Sequence, residues 1–412
     1  MMTNNAIHSS KYEKIILTLF FLCWGFVFFD QTALSILFPL ITEELSLSTT
    51  QIGQISMAQM IGFSVSAPII GMLVDRIQYK KMALIFSAVG TSVFCIFTTF
   101  ANSFEYLIVV RILLGVCEGA VLPVMITILT AISVPKRFGR NVGIVYAGNA
   151  VIAATLGPII ATQLASLTNW RITFFIIAVP TIIIAFFLMF ILKEPDMAKA
   201  EQQSEEKGSV WLQIVKNRNI MLCLFIAMLA FSGVWITLTY MPTYLTAGAG
   251  LSVGKMGLIM TLSGAVTILW QIIVPAVSDK IGRKPTLVGF YVFSLLSPIV
   301  LYLFGGSTIA IILYVAFGGV CLSITAIFNS IIPVESVNPK LVTTVTSLIQ
   351  GLGQLVGSLM VGFAGAFADA KGISVILLLI ICAFGACAVV GTILIETNPR
   401  KAKVVAQESQ TA

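Results

Sequence analysis

Apolar side chains in this chain come in long blocks, each near the roughly 20 residues that carry a helix across a bilayer, and polar residues collect in the gaps between them. Twelve blocks are predicted as helices, at about 13–40, 51–74, 82–101, 104–133, 138–166, 170–192, 219–245, 252–277, 285–304, 307–333, 341–369 and 373–395. They are too long and too uniformly apolar for the short alternating strands of a membrane β-barrel. One gap differs in kind: "KEPDMAKAEQQSEEKGSVWLQIVKNRN", residues 193–219, is charged and polar and separates six blocks from six. A linker of that composition lies in water and need not pack. The expected organisation is an N-terminal six-helix bundle over 1–192, a cytoplasmic linker over 193–218, a C-terminal six-helix bundle over 219–395 and a cytoplasmic tail over 396–412.

Composition sharpens this. Of 412 residues 58% are hydrophobic and only 10% charged, with a mean hydropathy of +1.02, against roughly 25% charged in soluble domains. The net charge of +7 does not read as a nucleic-acid footprint, because the cations follow membrane sidedness. They gather in the two tails and in alternate loops, with Arg171, Lys255 and Lys371 on the other side and Arg111 inside a block. Cytoplasmic loops carry the excess Lys and Arg, so both termini are expected in the cytoplasm, which requires an even number of spans. The first block is too long for a signal-peptide core and reads as the first span. All seven cysteines fall in predicted spans without metal-type spacing, and read as small packing residues. The single histidine, His8, lies in the polar N-terminal tail, which leaves no histidine relay or metal site. No N-x-S/T sequon occurs, in keeping with a bacterial inner-membrane location. Expected partners are the lipid bilayer and a small solute, with no nucleic acid, metal or cofactor, and the chain is expected to act as a monomer.

The two halves echo each other at an offset near 200 residues, as an internal duplication would leave them. "GMLVDRIQYKK" (71–81) follows the second span and "PAVSDKIGRKP" (275–285) the eighth; Asp75 corresponds to Asp279, and Glu194 after the sixth span to Glu396 after the twelfth. The motif G-x-x-x-D-R/K-x-G-R-K/R-K/R between spans 2 and 3, repeated between 8 and 9, resembles the major facilitator superfamily across nearly the whole chain. The resemblance implies two pseudo-symmetric bundles that rock around a central site, with cytoplasmic gate residues Gly71, Asp75, Arg76, Asp279, Lys280, Gly282 and Arg283. The Asp of each copy is suited to accept from a helix N-terminus and to pair with loop cations. The first copy departs from the pattern at Gln78 and Tyr79; the second keeps Asp279, Lys280, Gly282, Arg283 and Lys284.

Well away from span ends, three ionisable residues stand out: Asp30, Arg111 and Glu118. A charge at the bilayer centre costs at least roughly 2.5–3.5 kcal/mol on insertion scales, so such residues face a polar cavity or a partner. Arg111 and Glu118, in "VVRILLGVCEGAVLP", are seven positions apart and so project from one helix face, about 10 Å apart along the axis. Gly115 lies between them on that face, leaving room for another helix or a ligand. Asp30, buried in low dielectric with no adjacent cation, is expected to exchange a proton near physiological pH; an ion pair of Arg111 with a carboxylate that only fastens helices is the structural alternative. "FFDQTALSILFPLITEELSLSTTQIGQI", "RILLGVCEGAVLP", "RNVGIVYAGNAVIAATLGPII" with "NWRITFF", and "YMPTYL" resemble the anion:cation symporters, a branch that includes sugar-acid and organic-anion transporters. That resemblance implies proton-linked roles for Asp30 and Glu118, a substrate-carboxylate role for Arg111, and a substrate contact at Asn149.

Gln31 stands where the branch usually has Arg, and Phe28 and Phe63 stand at positions often Tyr in sugar-acid members. A site that hydrogen-bonds a polyol keeps such hydroxyls, so the expected cargo is a carboxylate poorer in hydroxyls. Gln350 and Gln354, four apart on span 11, offer neutral hydrogen bonds to substrate or to a neighbouring helix; Tyr244, Trp270, Gln271 and Asn329 are further polar candidates. The Gly-Pro of "TLGPII" reads as a kink or packing feature. The expected function is proton-coupled uptake of a small organic anion by alternating access. A proton-coupled drug or metabolite exporter of the same fold is the alternative, and a membrane sensor or scaffold the second. No Ser-His pair, paired metal ligands or nucleotide loop points to an enzyme.

Overall fold

The computed structural model describes residues 10–76, 79–133, 137–194, 215–337 and 342–398. His8, Gln78 and most of the linker fall outside them. Every regular element among the described residues is helical. In chain order these are α1 (Ser10–Leu45), α2 (Thr49–Arg76), α3 (Lys80–Thr98), α4 (Phe104–Ile132), α5 (Phe138–Gly148), α6 (Gly157–Leu167), α7 (Trp170–Ile191), α8 (Arg218–Thr243), α9 (Val253–Ile281), α10 (Arg283–Ser294), α11 (Leu296–Phe304), α12 (Thr308–Phe317), α13 (Val320–Ala326), α14 (Ile332–Ser336), α15 (Val342–Lys371) and α16 (Val375–Gly391).

Ten helical stretches among the described residues are long and apolar enough to cross a membrane, with Val375–Gly391 a shorter apolar helix and α2 a further 28-residue helix. The outer faces explain why the chain needs lipid: Phe186, Phe190, Leu303, Ile309 and Ile312 are all more than half exposed. Helices suit that solvent because each satisfies its own backbone hydrogen bonds.

Three π-helical stretches interrupt the α pattern: Asn149–Leu156 before α6, Tyr244–Gly248 after α8, and Ile327–Ile331 before α14. Pro158 and Pro333 sit at the starts of α6 and α14. Proline has no N–H to donate one turn back, and the helix widens over the preceding turn instead of breaking. The Gly-Pro at 157–158 thus acts on the shape of its helix.

The chain divides into two compact units, Met1–Ser204 with Ser252–Thr261, and Glu205–Leu251 with Leu262–Ala412. In the first, α1 supplies Ile16, Phe20, Cys23 and Val27 to a core shared with Leu84 and Ala88 of α3, Val121, Met125 and Ile128 of α4, and Ile184 and Leu188 of α7. At one end of this unit, Glu194 accepts from the backbone N–H of Lys81 in the first turn of α3 (3.2 Å to each oxygen). In the second unit, Glu396 accepts from the N–H groups of Arg283 (2.8 Å) and Lys284 (3.2 Å) in the first turn of α10. A carboxylate at a helix N-terminus satisfies orphan donors and complements the dipole. The two glutamates that mark the repeat in sequence therefore do the same physical job, one in each unit.

Candidate functional site

Four side chains that are nearly or fully shut from solvent meet in the middle of the first unit: Asp30 (3% exposed) on α1, Gln59 (1%) on α2, and Arg111 (0%) and Glu118 (3%) on α4. The register of α4 is set at its start, where Ser103 accepts from the Tyr106 N–H (3.3 Å) as N-cap. What brings α2 against it is Gly115. A Cβ there would run into the backbone carbonyl of Gln59, and one at Gly119 into the carbonyl of Phe63. The space that Gly115 clears is therefore filled by a helix backbone, not left for a ligand, and the close approach slots the Gln59 side chain between Arg111 and Glu118.

The hydrogen bonds run in one direction. Arg111 Nη1 donates to Asp30 Oδ2 at 2.6 Å and, more weakly, to Gln59 Oε1 at 3.4 Å. Gln59 Nε2 in turn donates to Glu118 Oε2 at 2.9 Å. Asp30 is therefore not without a cation, as its own span had implied: folding supplies Arg111 from 81 positions away. The guanidinium carbon also lies 4.9 Å from the centre of the Phe174 ring on α7, a contact worth about 2 kcal/mol when desolvated.

The cluster is incompletely satisfied. Asp30 Oδ1, Arg111 Nε and Nη2, and Glu118 Oε1 are buried without a hydrogen-bond partner. A buried polar atom left unpaired costs about 1–3 kcal/mol, more when charged, so four of them around one guanidinium form a site with unused bonding capacity. Arg111 keeps its Nε and Nη2 open, which is an edge of the fork that grips a carboxylate with two parallel bonds.

Around it, Trp24 packs on Phe28 (centroids 4.5 Å apart), Phe28 meets Phe63 edge-on (6.2 Å), and Tyr146 meets Trp24 (6.5 Å). The Trp24 indole N–H is buried and unpartnered. Phe28 and Phe63 thus belong to one aromatic row. Gln31 and Asn149 are half-buried, Asn149 at the first position of a π-helical stretch.

In the second unit most of the polar candidates are already engaged in hydrogen bonds, and Gln271 lies exposed. Asn329 Nδ2 donates to Gln350 Oε1 at 2.7 Å and the Trp235 indole to Gln354 Oε1 at 2.6 Å. The Tyr244 hydroxyl donates to the Leu301 carbonyl (2.9 Å), and the Trp270 indole to the Ala316 carbonyl (2.7 Å) within a cluster of Phe290, Phe293 and Phe317. Tyr244 and Trp270 thereby spend their polar atoms on helix packing.

Of the gate residues, Gly71, Asp75 and Arg76 lie at the end of α2, beyond the residues whose side chains are described. In the second copy, Arg283 donates to Asp279 (2.5 Å), Ser278 (2.6 Å) and Glu335 (2.8 Å). The acceptor at the adjoining helix N-terminus in this unit is Glu396; Asp279 instead pairs with the loop cation. Gly282 holds φ at +114° and a Cβ would meet Glu396, so only glycine serves there. Lys280 lies exposed beside it.

Sequence reasoning missed Gln59 and Trp24. Gln59 carried a signal of its own, since an amide deep inside an apolar span needs a hydrogen-bonding partner as a charge does.

A chain that is helical in its described elements, with lipid-suited outer faces and a partly unsatisfied charged cluster in its interior, is a multi-pass membrane protein. It belongs to the Major Facilitator Superfamily, whose description matches residues 20–361. It is 27% identical over 282 residues to the hexuronate transporter of Bacillus subtilis and 23% identical over 290 residues to the probable sulfoacetate transporter of Cupriavidus necator. Each match covers 66% of this chain and 66% of the relative, so the chain spans just under two thirds of the length of these relatives. The fold is similar to the crystal structure of a bacterial homologue of the human lysosomal transporter Spinster, with a TM-score of 0.80, 15% identity, and coverage of 93% of this chain and 97% of that one. Both relatives carry the name of a transporter.

Proposed function

We propose that this chain takes up a small carboxylate together with protons, and that Arg111 receives the anion. The observation that carries the reading is the guanidinium itself: fully enclosed, held by Asp30 through a single nitrogen, with Nε and Nη2 unpartnered. Hexuronate and sulfoacetate, in the names of the two relatives, are both organic anions.

Formal charges explain why protons accompany the cargo. With Asp30 and Glu118 ionised and Arg111 positive, the cluster carries one net negative charge. Loading a proton on each carboxylate brings it to +1, and a monocarboxylate then makes it neutral. Net charge in a low-dielectric interior is expensive, so the neutral, fully loaded state closes at the lowest cost. Protonating Asp30 also removes the acceptor that occupies Arg111 and leaves it free for the substrate. The aromatic row of Trp24, Phe28 and Phe63 offers an apolar wall without hydroxyls, which favours an acid poor in hydroxyl groups. Asn149 and Gln31 in the first unit, and Gln350 and Gln354 in the second, supply neutral contacts.

In this reading the chain has twelve spans with both ends in the cytoplasm, lies in a bacterial inner membrane as a monomer, and alternates access by rocking its two bundles, 1–192 and 219–395. The gate residues Gly71, Asp75, Arg76, Asp279, Lys280, Gly282 and Arg283 hold the cytoplasmic side.

The test is uptake into proteoliposomes of a panel of organic acids, hexuronates, sulfoacetate, benzoate and short aliphatic acids among them, under an imposed pH gradient. At least one acid is expected to accumulate above its outside concentration only with the gradient. Asp30→Asn should abolish that accumulation while leaving some exchange. Accumulation by Asp30→Asn equal to wild type removes Asp30 from the coupling.

A further inference from the structure

The geometry points to Gln59 as a relay that passes the protonation state of Glu118 to the Arg111 guanidinium through a turn of its side-chain amide. The inference rests on the reading of Glu118 as a proton carrier and adds a positioning residue to it.

Two neighbours fix the amide as it stands. Arg111 has donors only, so the face turned to it must be Oε1, and that leaves Nε2 for Glu118. Ionised Glu118 is an acceptor only and suits this orientation. Let Glu118 Oε2 take one proton from water: it becomes a donor, and an unaccepted buried O–H is costly. Among the described residues, Gln59 is the hydrogen-bond partner of Glu118, whose other oxygen has none. A half-turn of the amide presents Oε1 to the new O–H and carries Nε2 round to Arg111. Donor then faces donor, and Arg111 Nη1 loses its second acceptor. A guanidinium already short of partners at Nε and Nη2 is thereby made a stronger receptor for an external carboxylate. By linkage, an anion on Arg111 favours the proton on Glu118 to the same degree. When the proton returns to water, the amide turns back and Arg111 regains Gln59. One proton binds and leaves at Glu118 Oε2, and no other covalent bond changes.

Close approach makes Gln59 the bridge. With α2 pressed onto Gly115, the amide is enclosed at 1% exposure, out of competition with water. The other titratable groups around Glu118 are Asp30 on α1, Cys95 on α3, and Arg111 and Cys117 on α4. Cys95 is engaged with the Phe174 carbonyl (3.3 Å).

The relay can be tested without any cargo, by infrared difference spectroscopy of the purified full chain in lipid as pH is stepped. The carbonyl band of protonated Glu118 is identified by its absence in Glu118→Gln, and the guanidinium band of Arg111 by its loss in Arg111→Lys. In wild type part of the Arg111 shift is expected to follow the Glu118 band; in Glu118→Gln that part should vanish, leaving only the shift that tracks Asp30, which is identified by its loss in Asp30→Asn. In Gln59→Met, a near-isostere without the amide, the Glu118 band should still titrate while the part of the Arg111 shift that follows it is lost; Gln59→Leu serves as the second variant, and thermal unfolding midpoints check that each is folded. A wild-type Arg111 band that ignores Glu118, or one that follows it equally in Gln59→Met, overturns the relay and leaves the proton-carrier reading intact. No titrating Glu118 band in wild type removes the proton carrier, and the relay with it.

Discussion

The two units keep the same helix-end device and differ in what they bury at mid-helix. Glu194 and Glu396 each accept from the first turn of a following helix, and the residues that mark the repeat belong to those ends. At mid-helix the first unit holds Asp30, Arg111 and Glu118 around Gln59, whereas the second holds the neutral pairs Asn329–Gln350 and Trp235–Gln354. A charged interior is tolerable only with partners, and it is costly when a partner is withdrawn. A neutral amide pair loses little and exchanges partners readily. The lesson is a contrast in bonding state: the first unit buries ionisable side chains with polar atoms left unpaired, and the second closes its amides into neutral pairs.

The strongest way to break that contrast is to unpair the charges. Arg111→Gln leaves Asp30 buried and alone, and should cost about 3–5 kcal/mol, read as a fall in the apparent unfolding midpoint of the purified protein. The double variant Asp30→Asn with Arg111→Gln should recover much of it. Gln350→Ala in the neutral unit should cost only about 0.5–1.5 kcal/mol; equal losses in the two units would erase the distinction.

A second comparison sets two glycines against each other. Gly115→Ala forces a methyl into the Gln59 carbonyl and should cost about 1–3 kcal/mol, with uptake falling as Gln59 is pushed off Glu118. Gly351→Ala on α15 meets nothing within 4 Å and should be neutral or stabilising by about 0.5–1 kcal/mol.

At the helix ends, Glu396→Gln should destabilise by about 0.5–2 kcal/mol, the usual range for losing a cap, because the side chain is half-buried and accepts from the N–H groups of Arg283, Lys284 and Asn398. Glu194→Gln, on an exposed side chain, should show a smaller shift in the same unfolding measurement. The smallest expected effect is on selectivity. Phe28→Tyr restores a hydroxyl to the aromatic row, and should raise the ratio of hydroxylated to plain acid taken up from the panel a few-fold without changing the unfolding midpoint.

Much of this was legible in the chain. Periodicity and block length gave the helices, since a span must hide its backbone whatever its neighbours do. The cost of intramembrane charge singled out Asp30, Arg111 and Glu118, and the offset between Glu194 and Glu396 exposed the repeat. Phe28 and Phe63 could be named as a pair of missing hydroxyls, though not as rings in contact. What lay out of reach were the partnerships. Asp30 looked solitary because its cation arrives from another helix, and Gly115 offered space that only the packed structure assigns to α2.

The sequence by itself determined an all-helical, membrane-embedded, duplicated chain, with three costly charges that had to have a purpose. Those properties follow from local composition and the transfer cost of each side chain. Tertiary structure alone decided that Arg111 pairs with Asp30, that Gln59 stands between Arg111 and Glu118, and which atoms are left unpaired. Hydrogen bonds are satisfied between helices far apart in sequence, within a few tenths of an ångström, and no one-dimensional pattern records that distance.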